Sequence, residues 1–185
     1  MAFKDKILTF EDTKIIDENE FEIMMSWESP IMEKSAEYVC QSKGDILEIG
    51  FGMGISANYI QSHSISSHTI IEPHPQMVQK AVEWSNGKSN ITIISQSWAD
   101  VTGSLGTYDG IFYDTSFDDR HNLFSSSLSG LTKSGTKLSV FNSVSSETND
   151  HNIEMSYKQI NVTTPNSASQ YFNNNNVYYM PIKEF

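Results

Sequence analysis

Cysteine and basic charge are both scarce in this chain. A single cysteine, Cys40, among 185 residues excludes an intramolecular disulfide and suits a reducing compartment, so a cytoplasmic protein is expected. Lysine and arginine number 12 against 23 acidic residues, giving a formal charge of −11. No basic run is present to neutralise phosphates, which argues against a nucleic-acid partner. An acidic protein attracts cationic substrates, although a solvated acidic surface is the commoner meaning. No stretch approaches the roughly 20 apolar residues of a membrane span, and no apolar run of signal-peptide length follows Met1-Ala2-Phe3-Lys4-Asp5-Lys6. A soluble domain without a membrane partner is therefore expected.

Metal-binding patterns are missing too. The histidines His63, His68, His74, His121 and His151 show no ligand spacing, and one cysteine cannot complete a site, so no metal is expected. Neither a Gly-x-Ser-x-Gly elbow nor a phosphate-binding P-loop occurs. The length suits one domain with a proper core, and an aromatic content of 11% argues against disorder.

What is present is a glycine turn. Asp45-Ile46-Leu47-Glu48-Ile49 reads as a buried strand that runs into Gly50-Phe51-Gly52-Met53-Gly54. Glycines let backbone approach a ligand closely. Glu72 closes the next apolar run, 22 residues beyond Gly50, where an acidic side chain can grip two ribose hydroxyls. The dinucleotide pattern G-x-G-x-x-G fails, because its last glycine would fall at Ile55. The remaining pattern, E-x-G-x-G-x-G, is the form typical of S-adenosylmethionine (SAM) sites, beside the plainer reading of a turn packed against a helix.

The rest of the chain alternates strands and helices. Residues 17 to 42 have helical spacing at Met24, Met25, Trp27, Ile31, Met32, Ala36, Val39 and Cys40, with Pro30 as a break or first turn. Strands are expected at 45–49, 68–72 (ended by Pro73-His74-Pro75), 91–94, 108–113 and 137–141, with helices near 55–61, over Met77, Val78, Ala81, Val82 and Trp84 up to Asn86-Gly87, and near 119–130. Tyr157–Thr163 and Val177–Ile182 read as strands with no helix between them, joined by a polar link that contains Asn173-Asn174-Asn175-Asn176. The segment 142–155 is too polar to read as a helix. The expected architecture is one α/β domain, a doubly wound, mostly parallel sheet closed by a C-terminal antiparallel hairpin.

In such sheets ligands sit beyond the carboxyl ends of the strands. Gly50, Glu72, Trp98, Asp114 and Asn142 lie at those ends. Glu72 is the ribose candidate, with helix capping as its alternative. Trp98 could pack on adenine or belong to the core. Asp114 could hold a cationic nitrogen nucleophile and accept its proton, or cap the following helix. Glu28, on residue type alone, reads as solvated.

Taken together, Trp27-Glu28-Ser29-Pro30-Ile31-Met32, Leu47-Glu48-Ile49-Gly50-Phe51-Gly52-Met53-Gly54, Ile70-Ile71-Glu72, Trp98-Ala99-Asp100 and Tyr108-Asp109-Gly110-Ile111-Phe112-Tyr113-Asp114-Thr115 resemble guanidinoacetate N-methyltransferases in order and spacing. The ending Val177-Tyr178-Tyr179-Met180-Pro181 is similar to that family's final strand. Ile71-Glu72-Pro73-His74-Pro75 and the Gly-Phe-Gly-Met-Gly-Ile turn look equally like the related δ-N-arginine methyltransferases.

The resemblance implies a Rossmann-like class I methyltransferase fold with a seven-stranded sheet. An N-terminal helical lid over residues 1–42 would precede the methyltransferase part, 43–185. Met24, Met32, Phe51, Gly52, Met53, Gly54, Ile55, Ser56, Glu72, Pro73, His74, Trp98, Ala99 and Asp114 would surround SAM, with S-adenosylhomocysteine as product. Glu28 and Asp114 would clamp the guanidinium of a small-molecule acceptor, guanidinoacetate first, and backbone at Ser143 and Val144 would meet its carboxylate. Glu28 thereby turns from a surface residue into a substrate ligand.

Two carboxylates suit that acceptor. A guanidinium has no free lone pair and a pKa above ~12, so it must be fixed and must lose a proton before it attacks a methyl group. The chain also departs from the family: Ala99 and Ser116 replace the usual Glu and Tyr, and the lid is short, which leaves room for a second copy, a homodimer, to complete it. Another small amine or amidine, peptidyl arginine, or SAM binding without catalysis are the alternative readings.

Overall fold

A computed structural model describes residues 3–115, 121–142, 146–149, 151–165 and 176–185. Its core is a seven-stranded sheet. Strands β4 (Asp45–Ile49), β5 (Ser67–Ile71), β6 (Ile91–Ile94), β7 (Tyr108–Tyr113), β8 (Thr132–Val140), β9 (Ser156–Asn161) and β10 (Val177–Glu184) stand in the order β6-β5-β4-β7-β8-β10-β9. The strands from β6 to β8 are parallel; β10 is antiparallel to both β8 and β9. This is the expected α/β architecture, including the C-terminal hairpin.

The local chemistry explains the strands. In β4 the residues Ile46 to Ile49 are all buried, as in strands covered on both faces. Ile46, Phe112 and Tyr178 join a cluster with Ile31, Met32, Ala36 and Val39. Leu47, Ile49 and Ile111 join a second cluster with Trp98, Phe124 and Leu128. Helices α1 (Ser29–Val39), α2 (Ile55–Ser62), α3 (Pro75–Ser85), α4 (Trp98–Val101) and α5 (His121–Leu131) supply the covering layers. Proline stands in the first turn of α1 and of α3, where its missing N–H costs nothing.

Strand β8 begins at Thr132 rather than Lys137. The Lys133-Ser134-Gly135 turn is stitched into the sheet: Thr136 Oγ1 accepts from Lys133 N (2.9 Å) and donates to Tyr108 O (2.6 Å).

The N-terminal region corrects the sequence reading. Residues 17–25 are not helical. Strands β1 (Leu8–Phe10), β2 (Lys14–Asp17) and β3 (Glu22–Met25) form a separate antiparallel sheet, and only from Ser29 does an α-helix run. The cause is local. Asp17 Oδ1 accepts from Asn19 N and Phe21 N, both at 2.9 Å, and Glu20 adopts φ 61°. Such a side-chain-to-backbone turn competes directly with a helix. Lys6 pairs with the other oxygen of Asp17 and ties the segment together.

This small sheet leans on α3. Gln76 exchanges two hydrogen bonds with the backbone of Leu8, at 3.0 and 3.1 Å, and Lys80 lies over the Phe10 ring. Among the described residues no helix is long and apolar enough to cross a membrane.

Candidate active site

Strand order reverses beside β4: the chain steps outward through β5 and β6, then crosses back to β7. Crevices form at such switch points. Backbone bonds carry the ladder past the strand ends, with Gly50 N donating to Ile71 O (2.9 Å), Asp114 N to Ile49 O (2.9 Å) and Glu72 N to Ile94 O (3.0 Å). Gly50, Glu72 and Asp114 therefore line one rim.

Two glycines in the turn are required by geometry. Gly50 has φ 96°, and a Cβ there would lie 1.9 Å from Asp114 O. Gly52 has φ 53°, and its Cβ would lie 2.2 Å from the Met24 sulfur. A side chain at Gly50 would drive the Asp114 backbone away, and one at Gly52 would displace the Met24 thioether and be held in a left-handed backbone that favours glycine. The Met24 sulfur accepts from Met53 N at 3.0 Å, so β3 sits directly on the glycine turn. Ile55 and Ser56 open α2 behind it.

On the donor side, Glu72 is 2% exposed. One oxygen accepts from Phe51 N (3.0 Å) and the other from His74 N (2.7 Å). Burial pushes its carboxyl up to about 7, against the pull of those backbone donors, and the nearby Glu48 adds to the rise. Each oxygen can accept a second bond, so the arrangement still fits two ribose hydroxyls. Pro73 leads into α3, and the His74 ring is spent on structure: it accepts from Gln76 N, lies 3.0 Å from Lys6 O and packs against Phe3.

On the acceptor side, Glu28 is 9% exposed and one of its oxygens accepts from Met25 N at 2.9 Å. Burial raises its carboxyl well above the usual range, and the neighbouring Asp114 charge adds to that. Asp114 keeps part of its surface open to the rim. Burial pushes its carboxyl up to about 7, helped by the charges of Glu48 and Glu72. Glu28 and Asp114, far apart in sequence, are thus brought together. Among the described residues neither they nor Glu72 has a lysine or histidine ion-pair partner. A buried acidic set without a countercharge suits a cationic ligand.

Two of the residues expected near the donor are buried in the core. Met32 is 0% exposed and packs within the main core. The Trp98 indole is 3% exposed and meets Tyr113 and Phe124 edge-on, with ring centroids 5.7 Å apart in each case. Its ring packs into the core, and Ala99 is half-buried beside it. Ser116, Ser143 and Val144 lie outside the described residues, as do most of the helix start near 119 and the link 166–175.

Sequence reasoning missed two contributors. Glu48 is fully buried beneath the turn, accepts from Ser56 Oγ, and adds to the rise of both Asp114 and Glu72. A charged residue inside the apolar run Ile46-Leu47-Glu48-Ile49 was the available signal. Tyr178, fully buried on β10, accepts from Asn142 N at 2.7 Å and feels the charges of Asp114 and Glu28. Nothing in a strand-forming Tyr-Tyr pair marks it in advance.

The family model described as Guanidinoacetate N-methyltransferase matches residues 9–149. A protein arginine N-methyltransferase 2 from Aspergillus oryzae is 35% identical over 155 residues, covering 78% of this chain and 37% of that protein. Its Saccharomyces cerevisiae namesake is 35% identical over 116 residues, covering 57% of this chain and 28% of that protein. The chain thus spans little more than a third of these relatives at most. Among solved structures, the N-methyltransferase NodS of Bradyrhizobium japonicum matches with TM-score 0.61 at 11% identity, covering 84% of this chain and 94% of that one. Spermidine synthase of Thermotoga maritima matches with TM-score 0.62 at 12% identity, covering 96% and 72%. At such identities the structural matches establish the fold.

Proposed function

The chain belongs to the guanidinoacetate N-methyltransferase family, a family of SAM-dependent enzymes, and on that premise we propose that it transfers a methyl group to a guanidino nitrogen. The observation that carries this reading is that Glu28, buried, and Asp114, half-buried at the end of β7, lie near enough for the Asp114 charge to be felt at Glu28, and that both carboxyls are held above their ordinary range. The donor supplies an electrophilic methyl group and leaves as a neutral thioether, so the reaction needs no metal.

The chain's own groups do the rest. Glu28, fixed by Met25 N, and Asp114, at the end of β7, hold the planar fork of the acceptor from two directions. Asp114 takes the proton that the attacking nitrogen must lose, and a carboxyl near 7 is matched to that task at neutral pH. Glu72 and the turn from Phe51 to Ser56 hold the donor, so that nucleophile, methyl and sulfur fall in line.

Guanidinoacetate is the first candidate acceptor, in keeping with the family description. The names of the fungal relatives support a second, an arginine residue in a protein. Incubation with labelled SAM and guanidinoacetate, glycine, free arginine or an arginine peptide separates them. Label in a guanidino compound supports the proposal. Transfer to none, with measurable SAM binding, would overturn it in favour of a binding protein.

A further inference from the structure

The rim beyond β7 holds one polar group that no role above uses. Thr115 follows Asp114 just past the strand end, with its backbone nitrogen close to the glycine turn: a Cβ on Gly50 would lie 3.9 Å from Thr115 N. The residue as a whole is only half-buried. Its hydroxyl oxygen, however, is sealed from solvent and has no hydrogen-bond partner among the described residues. Next to it, the Asp114 carboxyl is raised by burial and acidic neighbours, and no hydrogen bond lowers it.

A buried hydroxyl without a partner lowers stability, because it has given up water and gained nothing in return. Such groups are rare in folded proteins, and each calls for an explanation. Valine has the same shape without that cost, so packing alone does not ask for a hydroxyl here. The side chain has three staggered positions, and one step of about 120° about its first torsion exchanges the hydroxyl with another substituent of Cβ. Because part of Thr115 stays open, such a step can bring the hydroxyl to the rim beside Asp114. There it meets the acceptor's chemistry, since a guanidinium carries five N–H donors in one plane and no acceptor.

We propose that Thr115 is an acceptor-binding residue: its hydroxyl accepts one guanidino N–H beside Asp114, which leaves the Asp114 carboxylate to the N–H of the attacking nitrogen. The hydroxyl of the free chain is then satisfied only when an acceptor is bound. The inference rests on the guanidino-methylation reading above and applies equally to guanidinoacetate and to a peptidyl arginine.

Thr115→Val and Thr115→Ser test it, through thermal melts of the ligand-free chain, SAM titration, and methylation of guanidinoacetate and of an arginine peptide. Valine removes the hydroxyl at constant shape. Its melt should rise by about 2–4 °C and its acceptor KM by about ten-fold, while SAM affinity stays as in the parent. Serine keeps the hydroxyl and should return KM to within about two-fold of the parent. A purely structural hydroxyl would give the opposite melt, a fall, with KM unmoved, and that outcome overturns the inference. So does a ten-fold loss of SAM affinity in Thr115→Val, which would assign the hydroxyl to the donor. Should the valine variant not fold, Thr115→Ala is compared with Thr115→Ser: a higher KM in alanine supports the inference, and equal KM contradicts it. A parent that binds SAM but methylates neither acceptor overturns the guanidino reading and the inference with it, whereas an unaltered KM in Thr115→Val leaves that reading standing.

Discussion

The two sides of the crevice are built on opposite principles. On the donor side, Glu72 is held by the backbone N–H groups of Phe51 and His74, which join the end of β5 to the glycine turn and α3. On the acceptor side, Glu28 has one backbone donor, Met25, and Asp114 is raised by burial and by its acidic neighbours with no hydrogen bond lowering it. One side is completed by the fold itself. The other is left electrostatically incomplete, and under the proposed function a cation would complete it. Under the proposed function this asymmetry suits a protein that binds a common donor and then selects a guanidinium.

Breaking the acceptor side should have the largest effect. Asp114→Asn keeps the shape but removes the proton acceptor, so kcat is expected to fall about 10³-fold in a labelled-methyl assay while SAM affinity by calorimetry holds. Glu28→Gln should act more on acceptor KM, raising it by about 10²-fold, the usual scale for losing one partner of a buried charged contact. Equal loss of SAM affinity in either variant would erase the distinction between the two sides.

The next test is on stability. Asp114 and Glu72 both sit near 7 in the folded chain, above their ordinary values of 3.8 and 4.5. The folded state therefore binds more protons than the unfolded one between roughly pH 4 and 7. The corresponding stability is fully present below that window and is lost as pH rises through 7, on the order of a few kcal/mol. Thermal melts of the ligand-free chain should be lower at pH 8 than at pH 5, and saturating SAM should narrow the gap. A melt independent of pH over that range would contradict the placement of these carboxylates.

The smallest effect is expected on the donor side. Glu72→Gln preserves volume and one acceptor oxygen, so SAM affinity should drop only about ten-fold, the value of a charge-assisted hydrogen bond. Unchanged affinity would remove Glu72 from the ribose contact.

Much of this was legible in the residues because the core obeys simple periodicities. Four consecutive buried residues in β4, the turn glycines and the strand-end acids Glu72 and Asp114 were all recognisable from chain order. The N-terminal sheet was not. Met24, Met25 and Met32 are spaced as a helix would space them, yet the Asp17 turn and the left-handed Glu20 decide for strands. The packing of Trp98 was not legible for another reason: Tyr113 and Phe124 reach it from elements distant in sequence. That Glu48 lies beside His68 of the next strand depends on strand register, which chain order does not reveal.

The central claim is that Glu28 and Asp114 receive a guanidinium cation. Titrating a guanidino acceptor into the SAM-analogue-loaded chain at pH 6.5, in buffers of differing ionisation enthalpy, measures it directly. Since a cation lowers carboxyls now raised by burial, binding should release a fraction of a proton or more, and Asp114→Asn should reduce that release. Acceptor binding without proton release, identical in the parent chain and in Asp114→Asn, would contradict the account.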